Sequence, residues 1–244
     1  MVTATVRRWS AWSPGLEDAD AWSNWCVAPT ELASGGRPEA RFLPAMLRRR
    51  CSPLARIMLT AAFDCCEQAE LAEVATVFAS RHGNINESID LLDRLAERQP
   101  LSPTAFSHTV HNAQAGLFSI AAANRRASSS IAAQRDSFAC GFLEAMTLLE
   151  RDPDRPVLLV VGDVPLAPTF ARLVEEPPGS YALGLLLARN SEGTRLNFGL
   201  QPQHDPTQPA PWPDAIEFLR WYLSDQSSLV LGSARRSWKW ERVQ

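Results

Sequence analysis

The sequence predicts an α/β protein, a mixed β-sheet with helices packed on its faces. Two continuous apolar runs, Val157 to Val161 (VLLVV) and Tyr181 to Leu187 (YALGLLL), have the length and composition of strands buried on both faces. Leu54, Ile57, Met58, Ala61, Ala62 and Cys65 recur at the spacing of one buried helical face. Strand-like and helix-like segments alternate along the chain, the order expected of a layered sheet.

In chain order, Thr3 to Arg8 predicts the first strand, closed by a turn at Ser13-Pro14-Gly15. Residues 17 to 45, with Trp22, Trp25, Gly35-Gly36 and several prolines, read as irregular. The first helix starts where Ser52 can N-cap it and Pro53 suits its first position. Leu71 to Ala79 reads as a short buried strand, broken by Arg81-His82-Gly83-Asn84. A second helix follows with Ile85, Ile89, Leu92 and Leu95 on one face, and then a long loop. Asp136 or Ser137 can cap a third helix, whose buried face holds Phe138, Phe142, Leu143, Met146 and Leu149. Asp152-Pro153-Asp154 ends that region.

From Asn190 the pattern weakens. Pro202, Pro206, Pro209, Pro211 and Pro213, with Pro178 upstream, mark loop. A short helix (Ala215 to Leu223) and a last strand (Ser228 to Gly232) close the chain. Residues 1–190 are expected to form one domain, with 191–244 an extension packed on it.

Forty-five per cent hydrophobic and 21 per cent charged residues are ordinary globular composition, which excludes disorder. A formal net charge of −3 argues against a nucleic-acid binder dominated by phosphate contacts. No apolar run reaches the length of a membrane span and no signal-peptide core is visible, so a cytoplasmic protein is expected. The five cysteines (Cys26, Cys51, Cys65, Cys66, Cys140) form neither a CxxC pair nor a Cys/His ligand spacing. They read as reduced, buried thiols, and no metal or other cofactor is expected.

One stretch is far more specific. Leu101 to Arg135 reads LSPTAFSHTVHNAQAGLFSIAAANRRASSSIAAQR. Leu101-Ser102-Pro103, Asn112 to Gly116 (NAQAG), Ser119-Ile120 and Ser130 to Ala133 (SIAA) resemble, without a gap, the β-ketoacyl synthase segment leading to the catalytic cysteine. Val6 to Gly15, Arg48 to Ala61 and Val157 to Asp163 (VLLVVGD) are similar to neighbouring pieces of the same family. The resemblance implies a truncated thiolase-like fold, the N-terminal half of a ketosynthase, over about residues 1 to 190. It is strongest to the chain length factors, and within these to the short type of aryl polyene pathways. Such proteins pair with an active ketosynthase as a heterodimer, or a dimer of heterodimers, that elongates chains on acyl carrier protein.

Where the family places its nucleophile, this chain has Arg135, preceded by Gln134. A guanidinium is always protonated and offers no nucleophilic lone pair. Better-known chain length factors resemble ketosynthases with glutamine in that position, which Gln134 fits only after a one-residue slip. The family's two C-terminal histidine motifs are missing too, for after His111 the one histidine is His204. The resemblance therefore implies a non-catalytic subunit.

It further implies that Ser128, Ser129, Ser130, Ile131, Ala132 and Ala133 form an edge strand pairing across the dimer axis. His108, His111 and Asn112 fall in a loop expected near that interface, and Ile85, Phe106 and Leu117 are candidate tunnel-wall residues. The i, i+3 spacing of His108 and His111 lacks a third ligand, so metal binding is not expected. Arg48-Arg49-Arg50 reads as a solvated charge run, with contact to an acidic carrier protein as the alternative. Cys140 reads as a core thiol. The tryptophans cluster toward the two ends of the chain, as packed termini or a partner surface would require. A different class stays open: a stand-alone acyltransferase or thioesterase using Ser137 or Cys140, which predicts covalent labelling by an acyl-thioester probe. A free-standing carrier-protein binding module is the third reading.

Overall fold

The computed structural model describes residues 1–174, 179–202, 211–233 and 236–243. Pro178, His204, Pro206 and Pro209 lie outside the described residues. The helices are α1 (Ala19–Val27), α2 (Ala45–Arg50), α3 (Pro53–Cys65), α4 (Gln68–Leu71), α5 (Ile85–Ala96), α6 (Pro103–Ser107), α7 (Ala113–Ala121), α8 (Ser137–Arg151), α9 (Pro168–Ala171) and α10 (Asp214–Tyr222). The strands are β1 (Val2–Trp12), β2 (Ala75–Ala79), β3 (Ser128–Ile131), β4 (Val157–Asp163), β5 (Tyr181–Ala188), β6 (Thr194–Gln201), β7 (Ser228–Ser233) and β8 (Arg236–Arg242). All eight join one mixed sheet in the order β3-β2-β4-β5-β1-β6-β8-β7. The first three run parallel, and every later pairing is antiparallel.

The sheet is covered on both faces, so β4 and β5 are buried at every residue. On one face, α3 packs with Leu117 and Phe118 of α7. Ser52 caps α3, accepting from Ala55 N at 3.1 Å, with Pro53 at its first turn. This helix lies so close to β5 that a Cβ on Gly184 would sit 2.7 Å from the Ala61 carbonyl oxygen. On the other face, α8 presses Gly141 against β2, where an added Cβ would lie 2.9 Å from Ala79 Cβ. Around the start of α8, Phe138 and Phe142 meet Phe198, Phe218 and Trp240.

Several elements depart from the sequence expectations. Within 17–45, Asp18 accepts from Ala21 N at 2.8 Å and caps α1, which buries Trp22 and Trp25. Leu71 belongs to α4, whose capping box is made by Glu67 and Glu70, so the strand begins only at Ala75. The expected loop after residue 101 contains α6 and α7, α6 started by the Ser102 cap with Pro103 behind it. β6 and β8 were not expected; each alternates, with Leu196 and Phe198, then Trp238 and Trp240, turned inward. Leu143 faces outward at 43% exposure, although the rest of its expected face is buried. The face expected to bury α5 is covered only in its first half: Ile85 and Ile89 are half-buried, while Leu92 and Leu95 are exposed.

Residues beyond 190 extend the same sheet. β6 pairs along β1 from Val2 to Val6. β7 comes round to contact the turn at Gln134–Asp136, on the far side of the sheet order from β3.

Candidate functional site

β3 lies at the edge of the sheet and pairs with β2 alone, from Ser128 opposite Thr76 to Ile131 opposite Ala79. Among the described residues, no strand pairs with its other edge. Ala132 and Ala133 lie past the strand, in a sharp turn into α8. Gln134 takes φ +56°, a left-handed conformation that costs a non-glycine residue strain energy. A tight strand-to-helix turn of this kind pushes its apex side chain out of the fold, the geometry used to present nucleophiles. Gln134 is exposed at this apex, while Arg135 beside it is half-buried.

The turn is fixed by its neighbours. Ser137 Oγ accepts from Ala133 N at 3.0 Å and donates to the Gln134 carbonyl at 2.6 Å. Asp136, expected as a possible cap, makes no capping bond to α8. It is buried instead, accepting from Trp238 Nε1 at 3.3 Å with the Arg236 guanidinium at 3.8 Å. Two groups of the C-terminal hairpin thus hold the elbow from beneath. Nothing in the sequence pattern announced this, because Trp238 and Asp136 are 102 residues apart.

Chemistry at the elbow is limited by these commitments. Cys140, one turn inside α8, has its thiol pKa raised by burial and then by Asp136. Burial is also the leading cause of the raised pKa of Cys26, Cys51, Cys65 and Cys66, the last pushed up to about 12. Nucleophilic cysteines show the opposite shift.

The remaining candidates fall around α5 to α7. His108 ends α6 and Asn112 begins α7, so the two histidines do not share a helical face. The His108 carbonyl accepts from Asn84 Nδ2, and burial, then Arg50, lowers its imidazole pKa. His111 and Asn112 are exposed. An apolar groove of about 460 Å³ opens between α5 and α6, lined by Leu91, Leu92, Leu95, Leu101, Pro103 and Phe106 among others. Ile85 is half-buried at the start of α5 and Leu117 is in the core; neither lines that groove. Arg48 to Arg50 form the last turn of α2, where cations suit the helix C-terminus. The two ends of the chain do meet, with Trp25 and Trp212 ring centroids 5.1 Å apart. Among the described residues, no group of three His, Cys, Asp or Glu could hold a metal ion, and no helix is long and apolar enough to cross a membrane.

This architecture matches solved structures. A chain of the ketosynthase (ApeO) in complex with its chain length factor (ApeC) from Xenorhabdus doucetiae superposes with TM-score 0.85 at 28% identity, covering 99% of this chain and all of that one. The ishigamide ketosynthase/chain length factor gives TM-score 0.62 at 14% identity, covering 82% of this chain and 68% of that one. The AntDE:AntF complex of a type II polyketide acyl carrier protein with its ketosynthase gives 0.64 at 12%, covering 82% and 70%. At these lower identities the likeness shows the fold alone. No curated protein matches the chain. The family model for the β-ketoacyl synthase N-terminal domain matches residues 22–241. With the sheet, the elbow and that match in agreement, the chain belongs to the β-ketoacyl synthase family, represented by its N-terminal domain.

Proposed function

We propose that this protein is a non-catalytic chain length factor that pairs with an active ketosynthase and shapes the acyl tunnel during aryl polyene elongation on acyl carrier protein. The observation that carries the reading is the elbow itself. Its strained geometry is retained, with Gln134 at the apex and Arg135 beside it, while every thiol sits elsewhere with a raised pKa. A left-handed, strained residue persists only where the surroundings enforce it. Here those surroundings are the Ser137 and Asp136 bonds. The full-length match to a chain of a ketosynthase/chain length factor complex supports the same reading, because the longer chains of the other matches are only partly covered.

In this reading Ser128 to Ile131 offer the partner an unpaired strand edge lined by small side chains, with Ala132 and Ala133 beside it. His108, His111 and Asn112 border that interface, and Phe106 contributes to the tunnel wall with Ile85 and Leu117 behind it. The partner supplies the thiolate and the histidines, and both subunits work in the cytoplasm. Co-expression with a cognate ketosynthase tests the proposal. A stable heterodimer that extends carrier-bound chains, with all acylation on the partner, is expected. A chain that purifies alone as a monomer and leaves the ketosynthase's product lengths unchanged overturns it. Mass spectrometry after exposure to an acyl-thioester probe separates the stand-alone enzyme: an adduct on Ser137 or Cys140 would establish it instead.

A further inference from the structure

The segment from Ile85 to His111 is attached to the body in an unusual way. Neither α5 nor α6 contains a buried residue, and Leu92, Leu95, Leu101 and Phe106 are 46–66% exposed. Apolar packing of this flap is limited to half-buried residues such as Ile85, Ile89 and Leu91. Its root, by contrast, is dense with side-chain-to-backbone hydrogen bonds.

Asp163, the last residue of β4, is buried beneath the Ser80–Gly83 turn that leads into α5. Its Oδ1 accepts from Ser80 Oγ at 2.7 Å and His82 N at 3.0 Å. Its Oδ2 accepts from Arg81 N at 3.1 Å and Tyr181 Oη at 3.3 Å. Ser80 Oγ in turn accepts from Gly83 N at 2.8 Å. One carboxylate and one hydroxyl thus satisfy three successive backbone donors, which a buried turn must place somewhere.

Two asparagines complete the root. Buried Asn84 accepts from Ser52 Oγ at 2.9 Å and donates to the His108 carbonyl, tying the flap's entry to its exit. Asn86 donates to the Pro165 carbonyl at 2.9 Å and accepts from Ala167 N at 2.8 Å, tying α5 to the chain leaving β4.

We infer that Asp163 is a positioning residue: with Asn84 and Asn86 it forms a polar clamp that sets where the α5–α6 groove stands relative to the sheet. Asp163 touches no substrate in this scheme and acts through the turn. The clamp concerns the chain alone; only its consequence for partner affinity rests on the heterodimer reading above. A clamped flap meets the ketosynthase already in place. A loosened one binds only in the fraction of time it is correctly seated, so the apparent affinity falls by that fraction.

Hydrogen exchange of the full-length protein tests this, because local opening is read segment by segment. Asn86→Ala and Ser80→Ala are each expected to speed exchange in 85–107 by roughly tenfold, the factor lost with one or two net hydrogen bonds. Protection in α8 and β5 should be unchanged, and Ser80→Thr, which keeps the hydroxyl, should restore slow exchange. Affinity for the ketosynthase should fall only as the seated fraction falls, so it stays near the parent's while the flap is mostly closed and drops in a variant whose flap is mostly open, a link that general destabilisation does not produce. Asp163→Asn should show the largest opening; should it unfold the protein, the two milder variants decide. Unchanged flap exchange in both, or equal loosening in α8, overturns the clamp. Flap opening as expected in a protein that never binds a ketosynthase sinks the heterodimer reading and leaves the clamp standing.

Discussion

Helices α8 and α5 are both amphipathic and comparable in length, 15 and 12 residues, yet the fold treats them in opposite ways. α8 buries Phe138, Phe142, Met146 and Leu149 between the sheet and α10. α5 has no fully buried residue: Ile85, Ile89 and Leu91 are half-buried, and Leu92 and Leu95 are exposed. The difference lies in what each helix finds opposite it. α8 meets aromatic side chains from β6, β8 and α10, supplied by the C-terminal fifth of the chain. α5 packs against the short α6 and is tied by Asn86 to the chain leaving β4, and the two helices leave an apolar groove facing outward. Soluble monomers seldom leave such a groove open without a use. The body is held by apolar burial and the flap by hydrogen bonds at its root, so damage to each should register differently.

The largest effect is expected in the body. Phe142 is 1% exposed and touches Phe138, Phe198, Phe218 and Trp240. Phe142→Ala should cost about 3–5 kcal/mol, the range for a truncated core phenylalanine. Urea unfolding should show the midpoint falling with the slope unchanged. A loss below about 1 kcal/mol would mean that this aromatic cluster is not a packed core.

Next comes the strut that closes the C-terminal unit. Arg242 donates to the carbonyls of Trp221, Tyr222 and Ser224, at 3.3, 2.8 and 2.9 Å, and to Gln226 at 3.1 Å. Its guanidinium also lies 5.1 Å from the Trp221 ring centroid. One cation therefore satisfies carbonyls at the end of α10, where the helix dipole is negative. Arg242→Ala should cost about 1–3 kcal/mol, and Arg242→Lys should recover only part of it, since an ammonium cannot serve this fan of acceptors. Full recovery by lysine would show that charge alone matters.

A third handle is pH. Cys66 has a folded pKa of about 12 against an ordinary 9.0, raised by burial and then by Glu70. A raised pKa contributes stability that is intact below the unfolded value and is lost as pH climbs through the folded one. Stability should therefore decline from about pH 9 toward pH 12, and Cys66→Ala should flatten that limb of the curve. An identical alkaline limb in the variant would assign the decline to other groups.

Legibility in the sequence follows the same division. The strands β4 and β5 and the helix α3 were visible because continuous apolar runs and a Ser-Pro cap are local signals. β6 and β8 were missed although each alternates, since Arg195, Asn197, Lys239 and Glu241 dilute the apolar character of the run. Trp238-Lys239-Trp240 was the available signal: two large apolar residues flanking a charge are the period of a half-buried strand. The fold behind the elbow was legible from the SIAA motif, but its left-handed residue was not. A gapless reading pointed to Arg135, whereas the left-handed residue is Gln134, a distinction that lives in one dihedral angle. The Asp163 clamp was invisible for a different reason, as three of its four partners lie 81 to 83 residues away and two of those are backbone amides, which leave no mark in sequence.

The smallest effect on stability is expected where apolar residues are most exposed. Leu92 and Phe106 are 63% and 66% exposed, so changing each to serine removes little surface that folding had buried. The double variant should unfold within about 0.5 kcal/mol of the parent. If the chain pairs with a ketosynthase as proposed, the variant's affinity for that partner should nonetheless fall by about 2 kcal/mol or more, because an aromatic anchor in a desolvated pocket is where binding energy concentrates. The pairing of the two measurements is the test. A variant that is as stable as the parent and binds as well would show that the groove faces solvent in the complex too. A variant that loses stability and affinity together would show that α5 belongs to the core after all, erasing the contrast with α8.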